Sequence, residues 1–149
     1  MDAYIAHIGT SFVDIPDRIA VAVFFAGCSI RCKGCQNKVL WEKSSGKVTS
    51  LEDVVSTIKQ NPLADSVVFL GGEPTDQLPF LTELCKEISQ FKMLYTGREI
   101  EDLPTELTDN LDMMVCGPFR EDLFVGGFPA SSNQRFFKKI GTEWICQKR

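Results

Sequence analysis

The chain has 149 residues, of which 44% are apolar and 24% charged, with 11 Phe among them. This composition supplies a core and excludes disorder as the main state. The net charge of −4 argues against a nucleic-acid binder, because phosphate contacts demand clustered Lys and Arg.

The N-terminal segment lacks a basic start followed by a long apolar run. The longest apolar stretch, Ile19 to Gly27, is too short to span a membrane. A cytoplasmic protein is therefore expected, either an enzyme or a small binding or electron-carrying module. Arg18 to Ala26 is β-branched and aromatic and predicts a buried strand. A cysteine-rich loop follows, then a short helix over Gln36 to Glu42 that Ser44-Ser45-Gly46 breaks. Ser50 reads as an N-cap with Asp53 three residues on. The helix it starts places Leu51, Val54, Val55 and Ile58 on one face and ends at Asn61-Pro62. Ser66 to Leu70 predicts a second strand, closed by Gly71-Gly72. Leu78 to Ser89 predicts a helix with Leu81, Leu84, Cys85 and Ile88 inward. Phe91 to Tyr95 is a third strand, Glu99 to Thr108 a weaker helix interrupted by Pro104, and Asp112 to Cys116 a fourth strand. A loop-rich tail leads to a last strand over Glu143 to Gln147.

No repeat or linker interrupts the chain, so residues 1–149 are expected to form one domain. Strands alternating with helices imply βαβ units and a mostly parallel sheet. Four such units are too few to close an eight-stranded barrel, so an α/β fold with an open partial barrel is expected. In such folds ligands sit at the carboxyl ends of strands. The unusual segments fall there: the cysteine loop, Gly71-Gly72-Glu73-Pro74, Tyr95-Thr96-Gly97 and Cys116-Gly117-Pro118-Phe119.

Cys28, Cys32 and Cys35 stand in a C-x₃-C-x₂-C pattern. Three thiolates on so short a loop suit a cubane iron–sulfur cluster and leave one iron open for a ligand. Structural zinc wants four ligands, usually in two pairs, and the single His7 is remote from the loop. Zinc and three free thiols stay open as alternatives. Cys85, on an inward helix face, reads as a small core hydrophobe.

C-x₃-C-x₂-C after a first strand resembles the radical S-adenosylmethionine superfamily. With GGEP, YTG, MVCGPF and SSNQR in this order, the chain is similar to the activating proteins of anaerobic ribonucleoside-triphosphate reductases. Two positions depart from that family's pattern: Cys116 stands where Asp is usual, and Ala130 where Gly is usual. The resemblance implies a [4Fe-4S] cluster on Cys28, Cys32 and Cys35, with S-adenosylmethionine on its fourth iron. It implies cofactor contacts at Gly34, Cys35, Gln36, Gly71, Gly72, Glu73, Pro74 and Tyr95. Glu73 or nearby carbonyls would receive the methionine ammonium. The implied reaction is reductive cleavage of S-adenosylmethionine to a 5′-deoxyadenosyl radical, which takes a hydrogen atom from a glycine of the reductase. A flavodoxin or ferredoxin would supply the electron. No catalytic residue beyond cluster and cofactor is required. Phe119, Asn133, Gln134 and Arg135 are expected to help dock the reductase.

Activation of another glycyl-radical enzyme, such as pyruvate formate-lyase, is the nearest alternative. Some such activases carry an inserted multi-cluster segment, whereas here no cysteine lies between Cys35 and Cys85. A radical enzyme acting on a small molecule would need more enclosing loops. A single-cluster electron carrier or metal-binding module is more remote, since ferredoxins supply four cysteines.

Overall fold

A computed structural model of the chain describes residues 1–148. In chain order the regular elements are β1 (Asp2–Ser11), β2 (Ala20–Phe25), β3 (Lys47–Ser50), α1 (Leu51–Lys59), β4 (Ser66–Gly71) and α2 (Leu78–Glu87). They continue with β5 (Phe91–Thr96), α3 (Thr105–Thr108), β6 (Met113–Cys116), β7 (Arg135–Ile140) and β8 (Glu143–Cys146). The strands form one sheet in the order β3-β1-β2-β4-β5-β6-β7-β8. The order is linear with β3 and β8 at its two edges, so the sheet is open, as expected.

The parallel part is the central set β2, β4, β5 and β6. Both flanks are antiparallel, β3 and β1 on one side and β7 and β8 on the other. The central strands alternate between two buried faces, the pattern of a sheet covered on both sides. Val21, Val23, Phe25, Val67, Phe69, Leu94 and Met114 meet the helices through Val54, Ile58, Phe80, Leu81 and Leu84. Ala20, Ala22, Val68, Leu70, Met93, Met113 and Val115 form the opposite layer, joined by Ile15.

The expected N-cap of α1 is present, with the Asp53 N–H donating to Ser50 Oγ at 3.1 Å. Helix α2 buries Leu81, Leu84 and Cys85 as its spacing predicts. Three strands are additions to the expected set. A register shift between Ile5 and His7 breaks the two-residue period of β1. The short edge strand β3 has no buried residue, and β7 (RFFKKI) has a single fully buried one. None of these gives a clear period-two signal. The helix expected over Gln36 to Glu42 is reduced to 3₁₀ turns at Lys38–Leu40 and Lys43–Ser45. Neither turn has a buried residue, so no packing energy extends them. Pro104 splits the expected Glu99–Thr108 helix into a 3₁₀ turn, Ile100–Asp102, and α3.

Candidate functional site

Parallel pairing sends the carboxyl ends of β2, β4, β5 and β6 to one rim of the sheet. The loop after β2 is pinned there by its backbone. Gly27 N–H donates to Leu40 O at 2.7 Å and Cys28 N–H to Trp41 O at 2.9 Å. The segment after β4 lies against it, with Gly72 N–H on Phe25 O at 2.8 Å and Glu73 N–H on Gly27 O at 2.8 Å. Two glycines make this approach possible. Gly71 has φ +114°, and a Cβ on Gly72 would sit 2.3 Å from Gly27 O.

A cavity at this rim is lined by Cys28, Cys32 and Cys35 on one side. Gly71, Gly72 and Glu73 line it from β4, Tyr95, Thr96 and Gly97 from β5, and Val115, Gly117 and Phe119 from β6 and its loop. All six cysteines are free thiols. Of these, Cys28, Cys32 and Cys35 are the ones brought to the cavity and the ones that could hold a metal centre. Cys85 belongs to the helix-side core, and so does Cys116. The loop points backbone donors at sulfur: Arg31 N–H at Cys28 Sγ and Asn37 N–H at Cys35 Sγ, each 3.4 Å. Arg31 adopts φ +52°, an uncommon conformation for a residue with a Cβ. Burial raises the Cys32 thiol above its ordinary value, and the neighbouring Cys35 and Cys28 add to this; a backbone hydrogen bond from Phe119 opposes it. Such thiols become ligands once a cation replaces their protons. Among the described residues no three His, Cys, Asp or Glu side chains converge tightly enough for a single metal ion.

Of the other expected cofactor contacts, Gly71, Gly72, Glu73 and Tyr95 line the cavity, whereas Gly34, Gln36 and Pro74 stand outside its wall. Gly34 instead abuts the Glu121 side chain. Glu73 is 2% exposed, and its carboxylate is already engaged. Oε2 accepts from Thr75 N–H at 3.1 Å, Thr75 Oγ at 2.6 Å and Thr96 Oγ at 2.7 Å. Oε1 accepts from Gly97 N–H at 2.7 Å. Glu73 thus ties the β4 rim segment to the β5 rim segment. The Tyr95 hydroxyl donates to Asp14 O, and burial, then Asp14, pushes its pKa upward.

Asn133 and Gln134 are turned inward, whereas Arg135 forms ion pairs at the surface. Asn133 Nδ2 donates to Pro118 O at 2.8 Å and Gln134 Nε2 to Gly117 O at 3.2 Å. Arg135 pairs with Glu101 at 2.6 Å and Glu99 at 3.6 Å. These contacts shape the Gly117–Phe119 loop, whose Phe119 faces the cavity. Beyond it Phe124, Val125 and Phe128 are 57%, 53% and 43% exposed. The expectation missed Asp76 and Arg98, which reach the cysteine loop from two other rim segments. Neither carries a periodic or motif signal.

Residues 18–137 match the family model described as "4Fe-4S single cluster domain". The chain belongs to this family. The match runs from just before β2 into β7 and contains every segment that lines the cavity. Membership of the single cluster family brings one [4Fe-4S] cluster to the chain, in agreement with the cysteine spacing. The anaerobic ribonucleoside-triphosphate reductase-activating protein of Enterobacteria phage T4 is 23% identical over 83% of this chain and 86% of that protein. The pyruvate formate-lyase-activating enzyme of Clostridium pasteurianum is 36% identical over 46% of this chain. The chain spans about a third of that relative's length, with 32% of it covered. Among solved structures, QueE from Escherichia coli superposes with a TM-score of 0.54 at 22% identity, over 65% of this chain and 53% of that one. This likeness shows the fold, an open α/β sheet with parallel central strands. The resemblance drawn from the motifs agrees with the family model and with these relatives. Among the described residues no helix is long and apolar enough to cross a membrane.

Proposed function

We propose that residues 1–149 act as one radical S-adenosylmethionine domain that activates an anaerobic ribonucleoside-triphosphate reductase. The observation that carries this reading is the meeting of three loop thiols with the β4 and β5 rim segments around one cavity. The near full-length match to the phage T4 activating protein supports the choice of partner.

In this reading Cys28, Cys32 and Cys35 ligate the cluster. When bound, the cluster supplies the electron that cleaves S-adenosylmethionine to methionine and a 5′-deoxyadenosyl radical. The chain's residues bind and orient the cofactor. Gly71 and Gly72 admit its methionine end to the backbone, with Gly34, Cys35, Gln36, Pro74 and Tyr95 as further contacts. Glu73 positions the two rim segments and offers Oε1, which accepts from Gly97 N–H, to the ammonium. The N–H groups of Arg31 and Asn37 donate to the Cys28 and Cys35 sulfurs and so orient them. Phe119 and Asn133 to Arg135 present the docking surface, the amides by holding the Gly117–Phe119 loop. The open edge of the sheet leaves room for a protein backbone as substrate. A flavodoxin or ferredoxin delivers the electron, and the cytoplasm keeps the thiols reduced.

The test is anaerobic reconstitution with iron and sulfide, reduction, addition of S-adenosylmethionine and assay of 5′-deoxyadenosine. Wild type should form it and Cys32→Ala should not. Zinc bound in place of iron, with no product, would overturn the proposal. A second reading, activation of another glycyl-radical enzyme such as pyruvate formate-lyase, draws on the higher identity to the Clostridium pasteurianum enzyme over a shorter stretch. The identity of the protein that acquires the glycyl radical separates the two.

A further inference from the structure

The first residue of the cysteine loop after Cys28 is held by a side-chain network that no cysteine motif describes. Asp76 lies in the 3₁₀ turn Pro74–Gln77, directly after the Gly71–Glu73 segment. Its Oδ2 accepts the Ser29 N–H at 2.7 Å, and its Oδ1 accepts the Ser29 hydroxyl at 2.8 Å. Arg98, just beyond Thr96-Gly97, donates through Nη2 to Asp76 Oδ1 at 2.9 Å and to Ser29 Oγ at 3.0 Å. The Arg98 N–H in turn donates to Thr96 Oγ at 3.0 Å, the same hydroxyl that donates to Glu73. Every donor of Ser29 is therefore engaged by one carboxylate, and one guanidinium closes the ring.

We propose that Asp76 and Arg98 are positioning residues that clasp the Cys28 end of the cluster loop to the β4 and β5 rim segments. The physical case rests on three points. The bonds to Asp76 are charge-assisted, and these are roughly twice as strong as neutral ones. The Asp76 side chain is 19% exposed, so water screens it far less than the other ion-paired carboxylates, which are 40% exposed or more. The bond to the Ser29 N–H acts on the backbone one residue from a thiolate ligand, so it sets where that sulfur points. Partners outside the ligand shell are worth 10–100-fold in metal affinity in other metal sites. The inference rests on Cys28 being a cluster ligand, and does not require the radical reaction.

The test uses the full chain reconstituted with a cluster, in wild type, Asp76→Ala, Asp76→Asn, Ser29→Ala and Arg98→Ala forms. Iron release to excess chelator is followed by loss of the cluster absorption, and the reduced cluster is examined by electron paramagnetic resonance. Asp76→Ala should release iron on the order of tenfold faster than wild type. Asp76→Asn, which keeps an acceptor oxygen, and Ser29→Ala, which keeps the N–H, should fall between. The double variant Asp76→Ala/Arg98→Ala should be no worse than Asp76→Ala, because both act through one network. The resonance line shape should change in Asp76→Ala. It should not change in Cys85→Ala, a core variant that lowers stability away from the site. Wild-type release and line shape in Asp76→Ala would overturn the clasp. So would release that follows apoprotein Tm equally in Asp76→Ala and Cys85→Ala. Faster release in Asp76→Ala, with no 5′-deoxyadenosine formed by wild type, would uphold the clasp and overturn the activase reading.

Discussion

At the residue scale, Glu73 shows how one side chain serves both fold and site. It is buried, yet four donors from Thr75, Thr96 and Gly97 surround its two oxygens. Glu73→Gln keeps the volume but turns an NH₂ group toward those donors. The expected loss is about 2 kcal/mol, the scale of a hydrogen bond to a charged group, read from urea unfolding of the apoprotein. The cysteines divide just as sharply. Burial pushes the thiols of Cys85 and Cys116 each up to about 12 from 9.0. In the native apoprotein at pH 8, iodoacetamide should therefore spare these two, and mass spectrometry should find them modified only after denaturation. The same shifts bear on stability. A folded-state thiol pKa above the unfolded value favours the neutral form in the fold. Its contribution is complete below pH 9 and is lost as pH rises from about 9 toward about 12. Denaturant midpoints should fall across that window, and less steeply in Cys85→Val.

At the scale of elements, α1 and the cysteine loop mark two ways a segment acquires its shape. Helix α1 follows from local chemistry: Ser50 caps it, Glu52 and Asp53 lie in its first turn, and Val54 and Ile58 are buried. Ser50→Ala should lower stability by about 1 kcal/mol, measured by denaturant titration, and should leave cluster uptake unchanged because neither Ser50 nor any residue of α1 lines the cavity. The cysteine loop has little regular structure of its own. Its course is set by Leu40 O, Trp41 O and Asp76 from outside it. That is why a helix over Gln36 to Glu42, reasonable from local propensity, keeps only the 3₁₀ turn Lys38–Leu40 within that span: the carbonyls of Leu40 and Trp41 are spent on the loop.

At the scale of the molecule, the four parallel strands gather their carboxyl ends into one rim, while antiparallel strands extend the sheet without closing it. The β6–β7 connection reaches this rim through Phe119, which lines the cavity. There Phe124, Val125 and Phe128 expose apolar surface beside Phe119, and the two rings Phe119 and Phe124 meet at 6.3 Å. In the proposed activation this tip meets the reductase. Phe124→Ser should then lower glycyl-radical yield on the intact reductase by roughly tenfold, the effect of one interface anchor. Uncoupled cleavage of S-adenosylmethionine by the same variant should be unchanged. Equal yields from variant and wild type would remove the tip from the interface.

The strands β2, β4, β5 and β6, the helices α1 and α2, and the grouping of Cys28, Cys32 and Cys35 were legible in the amino-acid sequence by itself. Each rests on local signals: continuous apolar runs, helical spacing, a cap and close cysteine spacing. Glycines after strands likewise located the rim segments. Strands β1, β3 and β7 required the tertiary structure, because their pairing partners, and not their own periodicity, make them strands. The same holds for the engaged carboxylate of Glu73, the inward bonds of Asn133 and Gln134, and the Asp76–Arg98 contact with Ser29. Apart from the two Thr75 bonds to Glu73, these join residues 15 to 69 positions apart in the chain. Polar side chains have no period to betray their partners, so only the folded chain decides which donor meets which acceptor.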